Sequence, residues 1–167
     1  MSIIGICVFN SNIEGYVEFI QEEKKDTIIN INLTNVPQGK HGFHIHEAGD
    51  LTENCSSLCA HYNPKNKNHG GPNDKERHVG DLGNIQPNKN GVVKLKMTDK
   101  EIKLKGKYSI IGRSVVIHQG EDDLGRGGLD ENNKVIDKKV HQESLKTGNA
   151  GKRIACGVIG YSKKMFK

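Results

Sequence analysis

Tryptophan is absent from the 167 residues, and Phe and Tyr together hold the aromatic share at 5%. Any core must therefore be built from Ile, Val and Leu. Hydrophobic residues reach only 34%. No apolar run approaches the roughly 18–20 residues of a membrane span, which excludes an integral membrane helix. The opening segment, MSIIGICVFN, lacks a basic start and a cleavage site, so the expectation is a cytoplasmic protein. No two of the four cysteines form a C-x-x-C pair, which excludes a zinc ribbon. In a cytosolic chain they read as free thiols or metal ligands, not as a disulfide framework. The net charge is +5, but the lysines are spread along the chain among Asp and Glu. With no arginine stripe and no aromatic interleaving, a nucleic-acid partner is not expected.

Twenty glycines are too many for a helical bundle and suit a loop-rich β fold. The length fits one domain with a real core and leaves little room for two, so residues 1–167 are read as a single domain. Ile4, Ile6 and Val8 alternate with Gly5, Cys7 and Phe9, a strand with apolar residues on both faces. Cys7 reads as a buried free thiol. Further strands are expected at Tyr16–Phe19, Thr27–Leu33, Gly42–His46, Gly83–Pro87, Val92–Met97, Ile102–Leu104, Val115–His118 and Ile154–Ile159. No helix is expected, and a basic tail carries Lys163, Lys164 and Lys167. Two stretches, about 47–80 and 119–152, have no sustained period. Long loops on an all-β scaffold are where function is sought.

The histidines give that function a chemistry. His44 and His46 stand at i and i+2 of a strand, so both imidazoles leave one face. His61, His69, His78 and Asp81 follow as H-x7-H-x8-H-x2-D. Three imidazoles and a carboxylate suit a closed, structural zinc site, whose binding energy can order a loop without a core of its own. His118 ends a late strand and can approach His44 and His46. Six histidines and one aspartate make two four-ligand sites only if one imidazole is shared, and His61 lies between the two groups in sequence. A set of imidazoles on rigid strands suits copper. His41 is not needed by this pattern and reads as a hydrogen-bonded structural residue. His141 reads as a solvated surface residue.

With these motifs in place, the chain resembles the copper/zinc superoxide dismutases. The matching segments are GFHIHEAGD (42–50), HYNP (61–64), HGGP (69–72), RHVGDLGN (77–84), VIH with DDLGRGG (116–128) and KTGNAGKRIACGVIG (146–160). They occur in the family's order across nearly the whole chain. The resemblance implies an all-β fold, an eight-stranded, sandwich-like Greek-key β-barrel with two long functional loops. It implies one copper and one zinc per subunit. Copper would be held by His44, His46, His61 and His118, and zinc by His61, His69, His78 and Asp81. Asp122 would join the copper ligand His44 to the zinc ligand His69.

The implied reaction is dismutation of superoxide to dioxygen and hydrogen peroxide, by alternate reduction and reoxidation of the histidine-bound copper. Arg153 and His61 would be the catalytic side chains. Glu143, Lys146 and Thr147 would shape and steer the channel. Cys55 and Cys156 would form the family's disulfide, and a homodimer and a copper chaperone are the implied partners.

Several positions depart from the family's pattern. Cys59 stands where a small residue is usual, and could compete with Cys55 for Cys156 or be oxidised separately. Ala48 and Tyr161 replace residues usual at the family's dimer interface. The stretch 129–141 is longer than the family norm and neutral by count. The rival readings are a non-catalytic, dismutase-like protein that binds metal or a copper chaperone, and the dismutase-like domain of such a chaperone. The first should have lost copper ligands or Arg153, and neither is lost. The second would come with a C-x-x-C donor domain, which is missing.

Overall fold

The computed structural model describes residues 2–166; Lys167, the last of the expected tail lysines, lies outside them. Eight strands form one antiparallel sheet: β1 (Ile3–Asn10), β2 (Glu14–Gln21), β3 (Thr27–Thr34), β4 (His41–His46), β5 (Asp81–Ile85), β6 (Val93–Asp99), β7 (Ser114–His118) and β8 (Arg153–Tyr161). The order is β5-β4-β7-β8-β1-β2-β3-β6. Pairings β3–β6, β4–β7 and β1–β8 set strands distant in sequence side by side. This is the Greek-key crossing of a nearly closed barrel, as the resemblance implied.

Alternation decides which side chains fill the barrel. Cys7, Phe9, Val17, Phe19, Ile29, Ile31, Leu33, Phe43 and Ile45 point inward and are buried. In β4 the same alternation turns His44 and His46 outward, yet all six of its residues are buried. The two long loops cover that outer face, so the H-x-H pair is enclosed rather than solvated. Cys7 is a buried free thiol, and burial pushes it up to about 12.

Three expectations are corrected. Ile102–Leu104 is not a strand. Side chains satisfy much of its backbone instead: Thr27 Oγ1 donates to the Ile102 carbonyl at 2.7 Å, and Leu104 N–H donates to Gln21 Oε1 at 2.6 Å, while the Lys103 carbonyl accepts from Ile110 N–H at 2.8 Å. Ile102 and Leu104 are fully buried and plug the barrel.

The second long loop contains a helix, α1 (Lys138–Thr147). Its only apolar residues are Val140 and Leu145, so no 3.6-residue stripe marked it. Local hydrogen bonds hold it. Asp137 Oδ1 accepts from Val140 N–H at 3.0 Å, and Gly148, at φ 68°, closes the last turn onto the Ser144 carbonyl. Within α1, His141 is half-buried, its Nδ1 2.9 Å from the Gly127 carbonyl, and is not the solvated residue expected. No helix among the described residues is long and apolar enough to cross a membrane.

Ile102→Ala should destabilise the metal-free protein by about 2–5 kcal/mol through the cavity it leaves, read from urea unfolding; a loss below 1 kcal/mol would contradict the plug. A thiol reagent at neutral pH should count Cys59 alone in the native, unreduced protein, and Cys7 as well after unfolding. Native labelling of Cys7 would contradict its burial.

Candidate metal centre

Two convergent groups of ligand atoms meet at one imidazole. His44, His46, His61 and His118 form the first, and His61, His69, His78 and Asp81 the second; within each group the donor atoms lie within 4.8 Å of one another, and all seven residues are buried. Strand β4 supplies His44 and His46, β7 supplies His118, and β5 begins at Asp81. The first long loop supplies His61, His69 and His78. An isolated bridge between His46 and His61 ties that loop back to β4.

Hydrogen bonds fix which nitrogen each ring presents. His46 Nδ1 donates to the Cys59 carbonyl and His118 Nδ1 to the Gly151 carbonyl, each at 2.9 Å. Their Nε2 atoms therefore face each other, 3.3 Å apart. His44 uses the opposite nitrogen. Its Nε2 donates to Asp122 Oδ2 at 2.6 Å, leaving Nδ1 buried with no hydrogen-bond partner. His69 Nε2 donates to Asp122 Oδ1 at 2.7 Å. Asp122 thus orients one ring of each group. Asn84 holds it from behind, accepting its N–H at 2.7 Å and donating to its carbonyl at 2.9 Å.

In the second group, Asp81 Oδ1 lies 3.0 Å from His61 Nδ1, 3.0 Å from His69 Nδ1 and 3.1 Å from His78 Nδ1, and the His61 and His78 nitrogens are 3.4 Å apart. A tetrahedral ion with bonds of about 2.0 Å separates its donors by about 3.3 Å, close to these spacings. His69 Nδ1 has no properly angled hydrogen-bond partner despite its 3.0 Å approach to Asp81. Nitrogen and carboxylate are both aimed at the space between them rather than at each other. A buried lone pair in that position costs free energy unless a cation fills the space. The residues therefore fit zinc in the second group. In the first, four imidazoles with an orphaned His44 Nδ1 fit copper.

The electrostatics are consistent with ligation. Burial, reinforced by neighbouring rings, pushes His44 down to about 3 and His118 to about 4, and His46 lower still. These rings are neutral at pH 7 and their lone pairs free. For His69 burial acts in the same direction, but the Asp122 hydrogen bond and the nearby Asp81 carboxylate outweigh it and raise it to about 9, so this ring gives up a proton when Nδ1 takes a cation. Burial opposes ionisation of Asp122, yet its bonds to His44 and His69 bring it down to about 2. Asp81 is held far below the usual carboxylate range by its three imidazoles, again against burial.

The first group opens into a cavity of about 490 Å³ lined by His46, His61, His118, Cys59, Lys146 and Arg153, with Glu143 and Thr147 also on its wall. Arg153 Nη1 donates to the Cys55 carbonyl at 2.7 Å, and Nη2 to the Cys59 carbonyl at 2.5 Å. Thr147 Oγ1 donates to Glu143 Oε1 at 3.0 Å. Cys55 and Cys156 are joined in a disulfide, while Cys59 is free and exposed. His41 stays outside both groups, its ring nitrogens facing the Pro37 and His118 carbonyls. Sequence reasoning missed the Cys59 and Gly151 carbonyls, because a main-chain acceptor leaves no residue-type signal. It also missed Asp123, which accepts from Ser144 Oγ at 2.5 Å and Asn149 Nδ2 at 2.6 Å and so docks α1 beside the cavity.

Fold and site together describe a β-barrel with two linked donor groups that fit metal ions, and comparison with known proteins names the class. The family model for copper/zinc superoxide dismutase matches residues 13–159. Among curated relatives, the Cu-Zn superoxide dismutase of Paramecium bursaria Chlorella virus 1 is 50% identical over 98% of this chain and 81% of its own. Superoxide dismutase [Cu-Zn] A of Xenopus laevis is 48% identical over 94% of this chain and 97% of its own. The extracellular Cu-Zn superoxide dismutase of Drosophila melanogaster is 49% identical over 90% of this chain and 77% of its own. The crystal structure of the clock protein EA4 superposes with a TM-score of 0.84 at 42% identity, covering 95% of this chain and 94% of that one. The chain belongs to the copper/zinc superoxide dismutase family, oxidoreductases that use copper and zinc to act on superoxide.

Asp122→Ala should weaken binding of both metals by about 10–100-fold, because both rings lose their orienting partner. Chelator competition for each metal measures this; a loss at one metal only would contradict a shared role.

Proposed function

We propose that residues 1–167 act as one catalytic domain in which His44, His46, His61 and His118 hold copper and His61, His69, His78 and Asp81 hold zinc, with His61 shared. The observation that carries this reading is the pair of buried, partnerless nitrogens, His44 Nδ1 and His69 Nδ1, each aimed into its own donor group and both oriented by Asp122. When bound, the metals supply the chemistry: copper the one-electron couple that turns one superoxide into dioxygen and the next into peroxide, zinc a fixed charge on the far side of His61.

The side chains bind, orient and move protons. Arg153 is half-buried at the cavity. Two of its N–H groups are committed to the Cys55 and Cys59 carbonyls, which fixes the guanidinium plane. The remaining donors face an incoming anion. A small anion carries little binding energy of its own, so a preset cation matters more than a large contact surface. His61 keeps Nδ1 toward Asp81, which leaves Nε2 to take up a proton and hand it to the departing peroxide. Lys146 adds positive potential at the mouth, and Glu143, held by Thr147, limits it.

The location we propose is the cytoplasm. There the chain would work as a homodimer loaded by a copper chaperone.

Arg153→Glu should lower kcat/KM by about a hundredfold or more. Lys146→Glu should lower it about two- to fivefold, an effect that shrinks as ionic strength rises. Lys163→Glu with Lys164→Glu should change it little, since those lysines line a different groove and Lys164 is paired with Glu18. Equal losses for the tail and Lys146 variants, measured across ionic strength, would overturn local steering. Retention of full activity without copper would overturn the proposed function.

A further inference from the structure

Of the four cysteines, Cys55 and Cys156 are joined, Cys7 is buried, and Cys59 is an exposed free thiol. Cys59 lines the cavity that leads to the first imidazole group. Its backbone, at φ 62° and ψ −156°, lies in a region that glycine adopts with ease and other residues adopt under strain. Two hydrogen bonds hold it there, since its carbonyl accepts both from Arg153 Nη2 and from His46 Nδ1. Its Sγ has only a contact at 4.0 Å with the Ser57 carbonyl. Cys59 belongs to none of the convergent donor groups, so it is not a fifth ligand of the finished site. It is a soft donor on the cavity wall, on the residue whose carbonyl orients His46.

A second observation lies beyond it. His44 Nδ1 is fully buried, has no partner, and converges with the His46, His61 and His118 donors. Cys59 shares the wall of one cavity with His46, His61 and His118, the three rings whose donors converge with His44 Nδ1.

We propose that the thiol of Cys59 is a landing ligand for Cu(I), which it receives at the cavity mouth and passes to His44, His46, His61 and His118. The inference rests on the copper reading of that group. Cu(I) is a soft ion that prefers thiolate sulfur, whereas bare imidazole nitrogens at the base of a cavity are a poor first contact. A carrier that holds Cu(I) on sulfur can give it up by ligand exchange. A Cu–S bond to Cys59 forms, the carrier's sulfur leaves, and the thiol proton goes to solvent. In the second exchange imidazole nitrogens replace the sulfur, which regains a proton. Copper stays Cu(I) throughout, so no oxidant or reductant is consumed. Once on Cys59 the ion is tethered to the chain, and its next step is intramolecular.

The test follows copper arrival rather than activity. Zinc-loaded protein with the Cys55–Cys156 bond intact is mixed, without oxygen, with Cu(I) held by the coloured chelator bicinchoninate, and loss of colour gives the uptake rate. Cys59→Ser and Cys59→Gly should both take up Cu(I) at least about tenfold more slowly, because the tethered ion reaches the imidazoles at an effective concentration in the millimolar range. Their final copper content should equal the wild type's. Glycine suits this backbone conformation, so the Gly variant separates loss of sulfur from loss of fold. In His118→Ala, where the nitrogen set is incomplete, Cu(I) should stay on sulfur and show a Cu–S distance by X-ray absorption. Wild-type uptake rates in both Cys59 variants, or no sulfur neighbour in the trapped form, would overturn the landing role while leaving the copper site standing. Wild-type protein that takes up no Cu(I) would overturn both.

Discussion

One buried carboxylate organises the centre. Asp122 receives an N–H from His44 and another from His69, at 2.6 and 2.7 Å. Each ring is thereby obliged to present its other nitrogen, Nδ1, to a different donor group. The carboxylate stays ionised despite burial because those two bonds favour the charged form. Its surroundings protect the arrangement. Asn84 fixes the backbone of Asp122, and a side chain at position 148 would strike both the carboxylate and His69 Nε2. Gly148 also needs its positive φ to end α1. One position therefore closes the helix and leaves room for the bridge.

The barrel supplies rigidity, and the loops supply chemistry and access. β4 carries core residues on one face and metal donors on the other, so the imidazoles inherit the precision of the packed sheet. The covering loops bury Leu58, Tyr62, Val79 and Ala150. They are held as well by the covalent Cys55–Cys156 disulfide and by polar contacts: the Arg153 bonds to the Cys55 and Cys59 carbonyls, and the His69 N–H donating to the Leu145 carbonyl at 2.8 Å. The last contact joins the loop of the second donor group to α1, which bears Glu143, Lys146 and Thr147. The second donor group and the wall of the cavity are thus mechanically connected, and Asp123 strengthens the connection through Ser144 and Asn149.

Much of this was legible in the chain because strands and ligand spacings are local patterns. Alternation located β1 and β3, and the spacing of His61, His69, His78 and Asp81 marked out one of the two donor groups that the fold brings together. The helix was not legible. Its apolar face is too small to register as a period, and it is held by Asp137, Gly148 and the buried Ser144 hydroxyl. Ile102–Leu104 has the composition of a strand, yet it pairs with side chains of β2 and β3 at the end of the barrel. Composition reports that a segment is buried; it does not report what its backbone finds there.

Residue types and their spacing pointed to the two candidate donor groups, to His61 between them, and to the strand that holds His44 and His46 on a common face. Those follow from residue type and from the two-residue period of a strand. Long-range contacts set which nitrogen each ring presents, that the Cys59 and Gly151 carbonyls orient His46 and His118, and that Cys59 keeps its thiol free in the cavity while Cys55 pairs with Cys156. These outcomes depend on main-chain acceptors and on contacts between residues up to 101 positions apart. Carbonyls are identical at every residue, so their roles arise only when the fold brings them to a side chain.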